Sequence, residues 1–119
     1  ENWESLTLPY AGSMFGAVLF QNEIISYGLR GHVLVTNDFG NNFNQIESPI
    51  QDSLFGSEHT VNNKILLVGA NGAVLQYRNN RLTQIDVSES DGDYTGLLSL
   101  NNEKILFLSE SGLITKEMR

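Results

Sequence analysis

The sequence predicts an all-β chain built from three tandem four-stranded antiparallel units of about 40 residues. Two observations carry this expectation: a self-similarity that returns every 40 positions, and short apolar or alternating runs bounded by Asn, Gly, Asp and Ser. A third is the balance of eleven glycines against two prolines in 119 residues, which suits many tight turns.

The repeat is visible at several points. Ser13-Met14-Phe15-Gly16 returns 40 positions later as Ser53-Leu54-Phe55-Gly56, and more weakly as Asp93-Tyr94-Thr95-Gly96. Asn62-Asn63-Lys64-Ile65-Leu66-Leu67 returns as Asn102-Glu103-Lys104-Ile105-Leu106-Phe107. In the first copy this segment is Asn22-Glu23-Ile24-Ile25, one residue shorter before the strand. Gly28-Leu29-Arg30-Gly31 corresponds to Gly69-Ala70-Asn71-Gly72 and then to Ser109-Glu110-Ser111-Gly112. Trp3-Glu4-Ser5-Leu6, with Pro9, corresponds to Phe43-Asn44-Gln45-Ile46, with Pro49.

Each copy reads as four strands. The first is expected over Met14–Phe20, Leu54–Val61 and Tyr94–Leu100. The second is expected over Glu23–Tyr27, Lys64–Val68 and Lys104–Leu108, and the third over His32–Thr36, Ala73–Tyr77 and Leu113–Lys116. The fourth is expected over Trp3–Leu6, Phe43–Glu47 and Arg81–Val87. Asn71-Gly72 is the clearest hairpin signal, because a two-residue turn of that kind needs positive φ at both centres. No stretch keeps a 3.6-residue apolar period with caps, so no helix is expected. A four-stranded unit of ~40 residues in tandem is the signature of β-propeller blades, here expected over about 3–36, 43–77 and 81–117, each fourth strand being shared with the preceding unit. A flat sandwich of similar meanders is the alternative.

Composition narrows the function classes. At 119 residues the chain suits roughly one domain, and 40% of it is apolar. No apolar run approaches the ~20 residues that a membrane-spanning helix needs, so no membrane insertion is expected. A net charge of −7 opposes binding to nucleic-acid phosphates and to anionic lipid. Cysteine is absent, which excludes disulfides and thiol chemistry and leaves the compartment open. The chain starts at Glu1 without Met or leader, as expected of a processed or excised piece.

The segment Thr36-Asn37-Asp38-Phe39-Gly40-Asn41-Asn42-Phe43 reads as an acidic, glycine-containing turn followed by an aromatic. An Asp here accepts hydrogen bonds from backbone N–H groups of its own turn. Gly takes the left-handed conformation. The aromatic is expected to pack between sheets. This pattern resembles the Asp-box, in which Ser/Thr, Asp, Gly and an aromatic stand at fixed spacing. Thr36, Asp38, Gly40 and Phe43 fill it, with Phe43 where that family usually has Trp. Trp3 stands at the last position of a preceding box whose turn is missing. The second copy, Tyr77-Arg78-Asn79-Asn80-Arg81, is two residues shorter and has lost both Asp and Gly. The turn is therefore read as structural rather than catalytic.

With Gly-Leu-Arg-Gly between two strands, the Asp-box turn makes nearly the whole chain resemble the photosystem II stability/assembly-factor-like propellers. Other proteins with BNR/Asp-box repeats, sialidases among them, carry the same turn. The resemblance implies a non-catalytic propeller of an exported, periplasmic or lumenal protein that binds a protein partner. Full members of that family have about twice as many blades or more, so the chain would be part of one. In blade order the second-to-third turns share a face with the fourth-to-first connections. That face collects Arg30, His32, Asp52, Asp91 and Asp93 as candidate binding residues. Arg30 is the candidate anion contact, against a plain exposed ion pair.

No catalytic, cofactor or metal site emerges. Arg30, Arg78, Arg81 and Arg119 do not fall at equivalent positions, as a sialidase arginine cluster would require. His32 and His59 stand alone in separate copies. Ser88-Glu89-Ser90-Asp91-Gly92-Asp93 lacks the spacing and closing Glu of an EF-hand loop. The alternative function is a fragment of a BNR/Asp-box glycoside hydrolase whose catalytic residues lie elsewhere, and a purely structural blade block is a third. Three blades leave an open arc. Either two chains close a six-bladed ring as a homodimer, or the chain is part of a longer propeller.

Overall fold

The computed structural model describes residues 13–60, 64–85, 92–101, 104–110 and 112–117. The expected strand Trp3–Leu6 and the candidate Asp91 lie outside them. Among the described residues, eleven strands form three antiparallel sheets of four, four and three strands. Sheet I holds β1 (Met14–Phe20), β2 (Glu23–Gly28), β3 (Val33–Thr36) and β4 (Asn44–Ile46). Sheet II holds β5 (Leu54–His59), β6 (Ile65–Gly69), β7 (Val74–Arg78) and β8 (Arg81–Gln84). Sheet III holds β9 (Tyr94–Ser99), β10 (Lys104–Ser109) and β11 (Gly112–Glu117). Strand order within each sheet follows chain order, so each is a simple meander. The fourth strand hydrogen-bonds to the third and so completes the sheet of the strands before it, Val33 pairing with Ile46 and Arg78 with Arg81. The sheets consequently run from 14 to 46 and from 54 to 84. The turn after β7 is two residues long, and the seven-residue turn 37–43 is folded back by hydrogen bonds to Thr36 and Asp38, so both return the chain antiparallel, while 47–53, of equal length, crosses to the next sheet.

The first strand carries the same irregularity in all three sheets. Met14 pairs with Gly28 but Gly16 with Tyr27, Leu54 with Gly69 but Gly56 with Val68, and Tyr94 with Ser109 but Gly96 with Leu108. Phe15, Phe55 and Thr95 are thus the extra residues of three equivalent bulges, each of which bends its strand and resets which side chains face which neighbour. Gly28 and Gly69 sit opposite these bulges, where a β-carbon would overlap the backbone of Ser13–Met14 or Ser53–Leu54.

The sheets stack face to face in chain order, with β1 against β5 and β5 against β9. Between sheets I and II lies one core, with Ile25, Tyr27, Val33 and Val35 facing Leu54, Ile65, Leu67 and Leu75. Between II and III lies a second, with Leu66, Val68 and Val74 facing Tyr94, Leu97, Ile105 and Phe107. Sheet II is buried on both faces, so all five residues of β6 are buried. That explains why its sequence is a continuous apolar run and not an alternation. Polar ties cross both seams. The Tyr27 hydroxyl donates to Ser57 Oγ at 2.9 Å, and the Ser99 N–H donates to Glu58 Oε2 at 2.7 Å.

Candidate functional site

The turns between second and third strands form one rim. In sheet I the turn Leu29-Arg30-Gly31-His32 closes through the His32 N–H and Leu29 carbonyl at 3.2 Å, with φ of 60° at Arg30 and 75° at Gly31. In sheet II, Ala70-Asn71-Gly72-Ala73 closes the same way at 3.2 Å, with φ of 57° and 71° at its centres. Both are the mirror-image turn that the Asn-Gly pair predicts. Asn tolerates the left-handed region, whereas Arg holds it at a cost of about 1–2 kcal/mol. The third copy departs from the expectation. Ser109 pairs directly with Gly112, a tighter closure than in its counterparts.

These turns reach across to the next sheet in equivalent ways. The Arg30 N–H donates to Ser53 Oγ at 3.3 Å, and the Asn71 N–H donates to Asp93 Oδ1 at 2.9 Å. Asn71 Nδ2 also donates to Asp52 Oδ1 at 2.8 Å. Asp93 in turn exchanges bonds with Glu110: its N–H donates to the carboxylate at 3.4 Å and its carbonyl accepts the Glu110 N–H at 3.1 Å. The structure therefore places Arg30, Asp52 and Asp93 on one rim. His32 lies beside Arg30, its Nδ1 2.9 Å from the Leu29 carbonyl. Asn71, Ser53 and Glu110 belong to the same rim. The Asn-Gly pair marks Asn71 as a turn residue, but nothing in its local sequence reveals a role joining two carboxylates from different sheets.

The acidic turn lies at the opposite rim, between β3 and β4. Thr36 Oγ1 donates to Asp38 Oδ1 at 2.6 Å and accepts the N–H groups of Asp38 and Gly40 at 3.3 and 3.0 Å. Asp38 Oδ1 and Oδ2 accept the Asn42 N–H and Nδ2, each at 2.9 Å. These donors, Thr36 first, hold the Asp38 carboxyl down at a pKa of about 2. Gly40, at φ 94°, is buried against the turn. Every acceptor site of this carboxylate that the geometry names is spent on its own turn, which is what a structural role requires. Phe43 does not pack between the sheets. It is half-buried and absent from both core clusters, because β4 starts one residue later and Ile46, opposite Val33, fills the seam. Phe39 in the turn is 81% exposed at φ 56°.

A third arrangement sits at this rim between sheets I and II. An open pocket of about 340 Å³ is lined by residues including Phe20, Glu23, Lys64, Tyr77 and Arg78. At its wall the buried Tyr77 hydroxyl donates to Glu23 Oε1 at 3.0 Å and accepts the Asn80 N–H at 3.3 Å. Burial, then the adjacent Glu23, push its pKa up to about 12, so it is a fixed donor and not a proton shuttle. Among the described residues no three His, Cys, Asp or Glu side chains converge on a metal position, and no helix is long and apolar enough to cross a membrane. No protein-family model, curated protein or solved structure matches this chain.

Proposed function

We propose that the three sheets are successive blades of a β-propeller with a BNR/Asp-box turn, and that the chain is a non-catalytic module presenting its second-to-third turns to a protein partner. One observation carries this reading. Of two turns with the same backbone, one uses an Asn engaged with Asp52 and Asp93, while the other keeps an exposed Arg in a strained conformation. Residues held against their conformational preference on a surface point to a contact made there. An exposed arginine on the same rim as two carboxylates suits a partner surface that offers a carboxylate to Arg30 and donors to Asp52 and Asp93. Taken with the resemblance, the protein is an exported bacterial one.

The test is affinity capture with three forms of the chain: the parent, Arg30→Ala, and Arg78→Ala as a control on the opposite rim. The expected result is a protein captured by the parent and by Arg78→Ala but lost with Arg30→Ala. Identical capture by all three forms would remove the binding face from consideration. Turnover of fluorogenic sialosides would replace the reading with a glycoside hydrolase.

A further inference from the structure

The pocket between sheets I and II gathers positive charge that the chain as a whole lacks. Lys and Arg number seven against fourteen Asp and Glu, yet Lys64 and Arg78 both line this one cavity. Neither forms an ion pair with a described residue. Local structure fixes both positions. The Lys64 N–H donates to Thr60 Oγ1 at 3.2 Å and its carbonyl accepts the Thr60 N–H at 2.8 Å, which anchors Lys64 immediately before β6. Arg78 ends β7 directly opposite Arg81, a like-charge pairing that costs stability across a hairpin. Folding gains nothing from facing arginine with arginine in a chain so rich in carboxylates.

The other walls define the molecule that fits. A volume of about 340 Å³ lies at the small end of ligand cavities, which run from about 300 Å³ upward. Phe20, whose ring stands edge-on to His59 at 5.0 Å, supplies an apolar wall. Glu23 is the only carboxylate among the described lining residues. Its Oε1 accepts the Tyr77 hydroxyl at 3.0 Å, which leaves Oε2 for a hydroxyl of the ligand. Gln21, on the same wall, is held at φ 55°. As at Arg30, a residue kept in the left-handed region on a surface points to a contact made there. Two cations and one carboxylate leave the pocket with a single positive charge, which a monoanion neutralises and a phosphate dianion overshoots.

We propose that this pocket binds a small hydroxylated carboxylate. Lys64 and Arg78 hold the carboxylate, Glu23 Oε2 accepts a hydroxyl, and Phe20 covers the apolar face of the molecule. Arg78 contributes directed N–H donors and Lys64 a compact charge on a flexible stem. The site stands on the rim opposite Arg30, so it is independent of the partner-binding reading.

Titration of the isotope-labelled 119-residue chain with glucuronate tests this, followed through the amide shifts of Phe20, Glu23 and Tyr77 at low salt. Glucose and glucose phosphate are the comparison ligands. Saturable shifts are expected with glucuronate, weaker binding with the phosphate ester and none with glucose. Lys64→Gln and Arg78→Gln are each expected to weaken glucuronate binding about tenfold, the loss of one charge-assisted bond. Lys64→Arg restores it, and Arg30→Gln on the other rim leaves it unchanged. Glu23→Gln keeps an acceptor for Tyr77 but removes the opposing charge, so it moves the preference toward the phosphate ester. Shifts that never saturate, or that glucose produces equally, overturn the proposal. Binding that survives both Lys64→Gln and Arg78→Gln, or that Arg30→Gln abolishes, puts the anion elsewhere and overturns it too. A parent chain that prefers the phosphate ester excludes the carboxylate assignment.

Discussion

Thr36 organises the acidic turn through one hydroxyl that donates once and accepts twice, at a position only 2% exposed. Thr36→Val keeps the shape and strands two N–H groups and a carboxylate. The expected loss is about 1–3 kcal/mol in urea unfolding, with Thr36→Ser close to the parent. Asp38 gives a pH signature. Its pKa falls from 3.8 to about 2, so its contribution to stability is complete above the unfolded value and is lost as pH falls through the folded one. The Asn42 amide shift should accordingly titrate near 2 and not near 3.8. Arg30 tests strain. Arg30→Asn, which tolerates φ near 60°, is expected to raise stability by about 1 kcal/mol, read as a higher urea midpoint. An unchanged midpoint would mean that Arg30 is not strained, and the functional argument would lose its support.

The legible parts of the sequence were those written in local chemistry. The Asn71-Gly72 pair specifies its turn because few residues accept positive φ twice in succession. Thr36, Asp38 and Gly40 declare a self-bonded turn for the same reason. Strand positions followed from apolar runs, and β6 came out within one residue at each end. What the sequence concealed depends on neighbours distant along the chain. Phe43 looks like a core aromatic until the start of β4 excludes it. The Asn71 bridge to Asp52 and Asp93 depends on how two sheets stack, and stacking has no local code.

At the scale of the element, the bulged first strand sets the tolerance of each sheet to change. Gly56 and Gly96 occupy the same bulge position and differ only in what lies beyond. Gly56→Ala drives a methyl into the Gly96 backbone, so a loss of about 1–3 kcal/mol is expected. Gly96→Ala meets only the side chain of Leu108 at ordinary contact distance and should leave the folded chain close to parental stability. Equal losses at the two sites would show that the glycines are retained for strand geometry and not for the approach of the next sheet.

For the molecule as a whole, stability is distributed by position in the stack. Among the described residues, sheet II is covered on both sides, whereas the outer face of sheet III exposes Leu98, Leu108 and Leu113 and β11 has a single partner strand. Amide exchange should be slowest in β6 and β7 and fastest in β11. Uniform protection across the three sheets would contradict this gradient.

Sheet II presents to its successor the kind of surface that it meets in its predecessor. It therefore behaves as an interchangeable link. Duplicating or deleting one such segment lengthens or shortens the array while leaving every remaining joint chemically familiar. Genetic drift in copy number is thereby decoupled from the invention of new cores. A lineage can change the span of the array first and refine the exposed turns afterwards.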